Sequence, residues 1–341
     1  MDVYFIVAGI CFAVALAGTW AGTWFALRYL RRRAILDRPN ERSSHTAPTP
    51  RGGGIAAVIV LALVIGAILL LAETPVPQSA IVIGGFAALA VVSWIDDVRG
   101  LGPLPRFAAQ FVVVGLAIYF WFTPASIAVG NNLGMPAWLV LAAIAVAWLW
   151  FINLFNFMDG IDGLAGVETA SIGFALFALS AVTGYGFGYG IIGAAIFGAA
   201  LGFLKYNWHP ARIFMGDVGS VPLGFLLGWL LLTVGVNPDA PGIPAFALIV
   251  PLYYLADASI TIARRIRRGE KFWHAHREHF YQQALHAGRS HAQVAGMVAW
   301  TNLVLILLAL AAVLYQPWPA LAAAIVLTAT LLALFARAKR A

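Results

Sequence analysis

Residues 153–166 read NLFNFMDGIDGLAG and follow directly on the apolar run AWLVLAAIAVAWLWFI, residues 137–152. Asn153, Asn156, Asp159 and Asp162 recur every third residue, just where a segment of membrane-spanning length runs out. On an α-helix each step of three falls about 60° short of a full turn, so the four side chains would share one broad face. Gly160, Gly163 and Gly166 loosen the end of that helix and let the backbone approach another group closely. The stretch is either a polar terminus wetted by headgroups or one wall of a site, and the rest of the chain has to decide.

The chain has 341 residues, 62% of them hydrophobic and 10% charged, with a mean hydropathy of +0.88. Soluble domains do not have this composition, so the expected fold is an all-α polytopic membrane protein. Eleven apolar spans suited to a hydrocarbon core about 30 Å thick can be drawn. They lie near 3–28, 53–72, 79–93, 107–122, 136–156, 168–183, 187–203, 221–236, 243–262, 292–314 and 318–336. The spans near 79 and 168 are short enough to be tilted, broken or extended. With no repeat or second soluble region, residues 1–341 read as a single integral membrane domain, closed by two C-terminal spans over 292–336. The first span is followed by RYLRRR without a small-residue cleavage site, so it reads as an anchor rather than a removed signal. Cys11 is the only cysteine and reads as packing.

All 21 Lys and Arg residues lie after odd-numbered spans or in the C-terminal tail. The positive-inside rule then places those loops and the C-terminus in the cytoplasm and the N-terminus in the periplasm. The net charge of +7 therefore reports orientation, and nucleic acid is not an expected partner. All seven histidines and eleven of the fourteen acids fall on that same side; Asp2, Glu73 and Asp239 do not.

A carboxylate at a helix centre costs roughly 2.5–3.5 kcal/mol on insertion scales, so Asp96, Asp97, Asp159, Asp162 and Asp217 cannot simply face lipid. They must line an aqueous cavity, pair with cations or bind metal. Asp96 and Asp97 are adjacent in SWIDDVRGL, where two carboxylates repel unless a cation or shared proton offsets them; a solvated turn is the plain alternative. In KYNWHPARIFMGDVGS, residues 205–220, a glycine-flanked Asp217 opens span eight. Free backbone N–H groups there would suit phosphate and the Asp a hard cation, against ordinary capping by Asp217 or Ser220. KFWHAHREHFYQQAL, residues 271–285, brings together His274, His276, Arg277 and His279. Without cysteine or an HExxH pattern these suit a pyrophosphate better than zinc, and an amphipathic helix on the membrane surface is the bland reading. His45 and Arg51 precede Gly52–Gly54 at the mouth of span two, where a triple glycine points to close packing more than to phosphate cradling. Asp257, inside span nine, is a candidate buried partner for one of Arg264, Arg265, Arg267 and Arg268.

Four motifs occur in order: DDxxG at 96–100, NxxNxxDGIDGLAG at 153–166, NxxPARIFMGDVGS at 207–220 and HxHxxH at 274–279. Over about residues 37–283 the chain resembles the polyprenyl-phosphate N-acetylhexosamine-1-phosphate transferases. The resemblance implies transfer of a sugar-1-phosphate from a UDP-sugar to undecaprenyl phosphate with release of UMP, using Mg²⁺, or Mn²⁺ in its place. It implies a metal-binding Asp217, an Asp96 that deprotonates the lipid phosphate, and Asp97 beside it placing metal or phosphate. It further implies catalytic or nucleotide-binding roles for Asn153, Asn156, Asp159 and Asp162, and a nucleoside and sugar pocket lined by Asn207 and Phe214. His45, Arg51, His274, His276, Arg277 and His279 would contact pyrophosphate or sugar. Partners implied are the UDP-sugar, the polyprenyl phosphate, the bilayer of a bacterial inner membrane and a second copy in a homodimer.

The histidine motif departs from the family's common HxHH and looks closer to the O-antigen initiators acting on N-acetylated 6-deoxyhexosamines, so the expected sugar is GlcNAc or a 6-deoxy-HexNAc such as QuiNAc or FucNAc. The phospho-MurNAc-pentapeptide transferase of peptidoglycan synthesis is the competing member. From another class, an ion-coupled transporter would keep its ionisable groups near the bilayer midplane rather than at the helix ends.

Overall fold

The computed structural model describes residues 2–37, 48–236, 242–271 and 276–337. Helix α1 (Asp2–Arg32) leads into a two-residue antiparallel ladder, β1 (Leu36–Asp37) with β2 (Thr49–Pro50). There follow α2 (Ile55–Leu71), α3 (Val76–Arg99), α4 (Pro103–Trp121), α5 (Thr123–Leu133), α6 (Ala137–Met158) and α7 (Leu164–Thr183). The remainder comprises α8 (Phe187–Asn207), α9 (Asp217–Gly235), α10 (Ile243–Ile249), α11 (Leu252–Arg267), α12 (Phe280–His286), α13 (His291–Leu314) and α14 (Pro317–Arg337).

Among the described residues nine helices are long and apolar enough to cross a membrane, or ten if α10 and α11 form one span. The chain is thus an all-α polytopic membrane protein. Helix α2 occupies the second predicted span but has 17 residues, about 25 Å at 1.5 Å per residue. The short spans predicted near 79 and 168 are extended rather than broken, because α3 and α7 run to 24 and 20 residues. The break falls instead in the ninth span, where α10 and α11 meet at 61°. Pro251 lies between them and has no N–H to continue the helical ladder. Helix α5 was not expected from the hydropathy of the chain.

Helix α9 is the centre of the bundle, packing against α2, α3, α6, α7 and α10. Trp148 of α6 stacks on Phe225 of α9 with ring centroids 4.8 Å apart and donates its indole N–H to the Phe225 carbonyl at 2.9 Å. Helices α1, α8 and α7 form a flanking layer drawn close by small residues. A Cβ on Gly193 would lie 2.6 Å from the Gly173 carbonyl oxygen, so those backbones touch. Outward faces carry apolar side chains such as Leu63, Phe111 and Trp300, as lipid contact requires.

The opening stretch does not continue as a helix. Helix α6 stops at Met158, Asp159 leaves helical geometry at φ −80°, ψ 53°, and Gly163 takes a left-handed φ of +79° to start α7. Asn153 and Asn156 are therefore helical, whereas Asp159 and Asp162 sit in the turn. The expectation of one shared helix face fails because glycines at 160 and 163 end the helical repeat.

Candidate active site

The site is built around the first residues of α9. Asp97, in the last turns of α3, accepts from the backbone N–H of Asp217 at 3.1 Å and of Val218 at 2.9 Å. The next two amides, Gly219 and Ser220, donate to the Gly216 carbonyl. All four N-terminal donors are satisfied within the chain, so the expected free N–H groups are already taken. Capping comes from neither Asp217 nor Ser220 but from a carboxylate 120 residues earlier.

Residues 51–54 lie along the approach to α9. Arg51 and Phe214 form a parallel bridge, and the N–H groups of Gly52 and Gly53 both donate to the Phe214 carbonyl, at 3.2 and 2.8 Å. A Cβ on Gly54 would overlap the Cα of Gly219. The triple glycine is therefore a site of backbone contact, which brings Arg51 to the aspartates. Its Nε lies 2.8 Å from Asp97 Oδ1 and an Nη 2.7 Å from Asp217 Oδ1. Burial works against this charge, but Asp217, Asp97 and Asp37 outweigh it and hold the Arg51 pKa above its ordinary value.

Arg106 of α4 closes the other side, 2.8 Å from Asp96 and 3.4 Å from Asp217. Asp96 also accepts from the Leu101 N–H at 2.6 Å, holding the turn after α3. Asn156 donates to Asp217 at 3.1 Å and to the Ser220 hydroxyl at 2.8 Å. Asp159 joins electrostatically: burial, then the negative charge of Asp217, push its pKa well up despite Arg51. Two guanidiniums thus face four carboxylates, Asp96, Asp97, Asp159 and Asp217. The excess negative charge and the all-oxygen donor set fit a hard divalent cation such as Mg²⁺. Asp217, with Asp97 and Asp159 beside it, would supply the carboxylate oxygens for such an ion, displacing the guanidinium contacts that Asp217 and Asp97 now make.

Asp162 is turned toward a second group. It lies 2.6 Å from His209 Nδ1 and 3.2 Å from His291 Nδ1, and it accepts from the Ala211 N–H at 3.0 Å. Burial alone would raise its pKa, but these three partners hold it below the ordinary carboxylate range. Asn207 is a cross-brace between the same loops, accepting from Gly163 N–H and donating to the Ile213 carbonyl, both at 3.0 Å. Asn153 faces away from the aspartates and is bonded to Gln110 at 2.8 Å and the Leu149 carbonyl at 2.7 Å. It joins α6 to α4.

His45 and His274 lie outside the described residues. Of the remaining histidine-loop residues, His276 and Arg277 are half-buried, and His279 is buried at 3% exposure, so its ring is not presented to solvent. His279 Nδ1 is 3.1 Å from Asp257, which also accepts from the N–H groups of Phe280 and Tyr281 at 3.0 and 3.2 Å. The hydroxyls of Tyr253 and Thr261 complete its partners. Asp257 thus pairs with the start of α12 rather than with an arginine. Arg265 goes to Glu270 and Glu278 instead, and Arg268 to the same two acids. Tyr281 then reaches back to the opening stretch, donating to the Phe157 carbonyl at 3.2 Å. A side chain on Gly160 would run into that hydroxyl. This glycine is required by the docking of α12.

The structure therefore brings together Arg51, Asp96, Asp97, Asn156, Asp159 and Asp217, with Asp162, Asn207 and Phe214 in adjoining loops. Sequence reasoning missed Arg106, His209 and His291, and it had Ser220 only as a possible cap. Arg106 had a signal, as the one basic residue between the DDVRG turn and the apolar run of α4. The two histidines had none beyond lying on the same side as the aspartates.

Residues 79–235 match the family described as Glycosyl transferase family 4. The chain is 30% identical, over 85% of its length and 80% of the relative's, to a decaprenyl-phosphate N-acetylglucosaminephosphotransferase of Mycobacterium tuberculosis. A probable undecaprenyl-phosphate N-acetylglucosaminyl 1-phosphate transferase of Bacillus subtilis is also 30% identical, over 83% of this chain and 78% of its own. A phospho-N-acetylmuramoyl-pentapeptide-transferase of Shouchella clausii reaches 35% over 52% of this chain and 58% of its own.

Proposed function

Because this chain belongs to glycosyl transferase family 4, among the polyprenyl-phosphate N-acetylhexosamine-1-phosphate transferases, we propose that it moves an N-acetylhexosamine-1-phosphate from a UDP-sugar to undecaprenyl phosphate. The product is undecaprenyl-pyrophosphoryl-sugar, and UMP leaves. The sugar is GlcNAc, supported by the names of two relatives similar over most of the chain, with a 6-deoxy-HexNAc as the alternative donor. The step would begin an O-antigen or other envelope polysaccharide at the cytoplasmic face of a bacterial inner membrane. Orientation rests on the basic residues gathered after odd-numbered spans.

The observation that carries this reading is the convergence of Arg51, Arg106, Asp96, Asp97, Asn156 and Asp217 at the adjoining ends of α3, α6 and α9. An acceptor oxygen of the lipid phosphate attacks the β-phosphorus of the donor, and the bond from that phosphorus to UMP breaks. Both partners are anionic, so their approach needs positive charge on either side, which Arg51 and Arg106 supply. Asp96 takes any proton remaining on the lipid phosphate. Asn156, itself anchored on the Ser220 hydroxyl, keeps the Asp217 carboxylate in one orientation. A Mg²⁺ held by Asp217 and Asp159, beside Asp97, would contribute Lewis acidity and a template for the phosphates. Phe214 and the Asn207-braced loop offer the nucleoside a wall.

The acceptor's isoprenoid tail needs an apolar bed. A cavity of about 280 Å³ between α6, α9, α10 and α11 is lined by Ala147, Phe151, Gly228, Leu232, Pro251 and Leu255. Gly228 is eleven residues from Asp217 on α9, about 16 Å along the axis. The reading is tested with purified protein in detergent, undecaprenyl phosphate, Mg²⁺ and a panel of labelled UDP-N-acetylhexosamines. Mg²⁺-dependent label in a lipid product with stoichiometric UMP is the expected result. Nucleotide binding without transfer from any donor would remove GlcNAc and the 6-deoxy sugars, and loss of both binding and transfer would reopen the transporter reading.

A further inference from the structure

Apart from the guanidinium–carboxylate cluster, Asp162, His209 and His291 place one carboxylate oxygen and two imidazole nitrogens within 4.8 Å of one another. They come from three separate elements: the turn between α6 and α7, the loop between α8 and α9, and the first residue of α13. Both rings direct Nδ1 at the carboxylate, His209 at 2.6 Å from Oδ2 and His291 at 3.2 Å from Oδ1. Zinc bonds of about 2.0–2.2 Å in a tetrahedron hold neighbouring ligand atoms about 3.4 Å apart. The His291 separation, to Oδ1, is close to that value; the 2.6 Å from His209 to Oδ2 is a hydrogen-bond length, and that ring would have to retreat by about 0.8 Å for both nitrogens to share one ion with the carboxylate.

The surroundings suit a cation as well as the ligands do. The Asp162 N–H lies 3.3 Å from His291 Nδ1 and holds that ring at the turn, a contact that the ion would displace. The Ala211 N–H fixes the carboxylate from outside, as the supporting bonds of metal ligands commonly do. The side chains of Asp162 and His291 are 7% and 12% exposed and so held in place, while that of His209, at 38%, leaves a way in and an open coordination position. One carboxylate with two imidazoles selects zinc or a similar late divalent ion, whereas magnesium takes oxygen ligands and keeps its water.

We propose that Asp162, His209 and His291 bind one zinc ion per chain, at a site chemically distinct from the oxygen-rich cluster around Asp217. The ion ties the 159–163 turn and the 208–212 loop to α13. This assignment stands or falls independently of the transferase reading, because it is measured as bound metal.

The test uses full-length protein without a polyhistidine tag, stripped with chelator in detergent. Zinc is titrated against a chromophoric chelator, bound metal is counted by elemental analysis, and cobalt(II) in its place reports the coordination by visible absorption. One zinc per chain is expected in the wild type, in Asp217→Asn, and in His286→Ala, which removes an exposed histidine of α12. His209→Ala and His291→Ala are expected to bind at least about tenfold more weakly and to lose the cobalt band. If His291→Ala does not fold, His209→Ala decides alone, since that ring is largely at the surface. A wild type that retains no stoichiometric zinc, or a His209→Ala variant with wild-type affinity, overturns the proposal and leaves a hydrogen-bonded clamp.

Discussion

Asp217 and Asp257 are both buried carboxylates on apolar helices, yet they are satisfied in opposite ways. Asp217 is 8% exposed and is surrounded by groups that can exchange partners: Arg51, Arg106 and Asn156. Asp257 is 0% exposed and accepts from fixed donors, two backbone N–H groups, two hydroxyls and an imidazole. A carboxylate ringed by side-chain cations at a bundle end is available to an incoming cation or phosphate. One saturated by backbone amides is a joint. Burial by itself does not distinguish chemistry from architecture; the mobility and charge of the partners do.

The largest effect expected from this contrast is at Asp217. Asp217→Asn keeps the volume and one acceptor but loses the charge, and turnover should fall by about a thousandfold or more. The protein should remain folded, checked by its unfolding temperature in detergent. A variant that unfolds would make Asp217 a joint as well, and the contrast would collapse. Next comes Asp257→Ala, which strands several buried donors at about 1–3 kcal/mol each. It should lower the unfolding temperature markedly, with Asp257→Asn in between because it keeps one acceptor oxygen. Undiminished stability with lost turnover in Asp257→Asn would move that residue into the chemistry.

The smallest effect concerns His276, whose pKa is pushed down to about 4 by burial, then by His279 and Arg265. Its ordinary value is 6.5, so between these limits the unfolded chain binds more protons than the folded one. The contribution to stability is complete above pH 6.5 and is lost as pH falls toward 4. His276→Gln should flatten the stability profile in that window, and the wild-type ring should titrate near its lower limit by NMR. A midpoint near 6.5 would return His276 to solvent and to a pyrophosphate-binding role as an imidazolium.

Much of this was legible beforehand because the membrane makes errors expensive. Hydropathy located the spans, and the cost of charge in lipid singled out Asp96, Asp97, Asp159, Asp162 and Asp217 before any geometry was known. Periodicity served less well. The three-residue spacing held through Asn156 but lost its meaning once α6 ended, since a repeat describes a face only while the helix lasts. Asn153, on the same spacing, turned to Gln110 instead. The arginines close to Asp257 in sequence were its obvious partners. Its actual donors are two hydroxyls one helical turn away and three groups more than twenty residues on, at the start of α12, whose docking depends on Tyr281 and Gly160. Helix α5 was missed because TPASIAVGNNL is too short and too mixed to register as a span. The 61° bend went unseen because an apolar run is equally apolar on both sides of Pro251.

Asp97 carries a consequence for the energetics of substrate capture. Its carboxylate rests between the first amides of α9 and Arg51, which is the kind of place a phosphate oxygen would seek. The protein thus carries its own resident anion, and under the proposed reaction a phosphate arriving there would meet an exchange reaction rather than a vacant berth. Measured affinity for an anionic ligand then records the difference between two anions for one set of donors. Such an exchange would weaken binding, and in return the capped helix end would stay in position between turnovers.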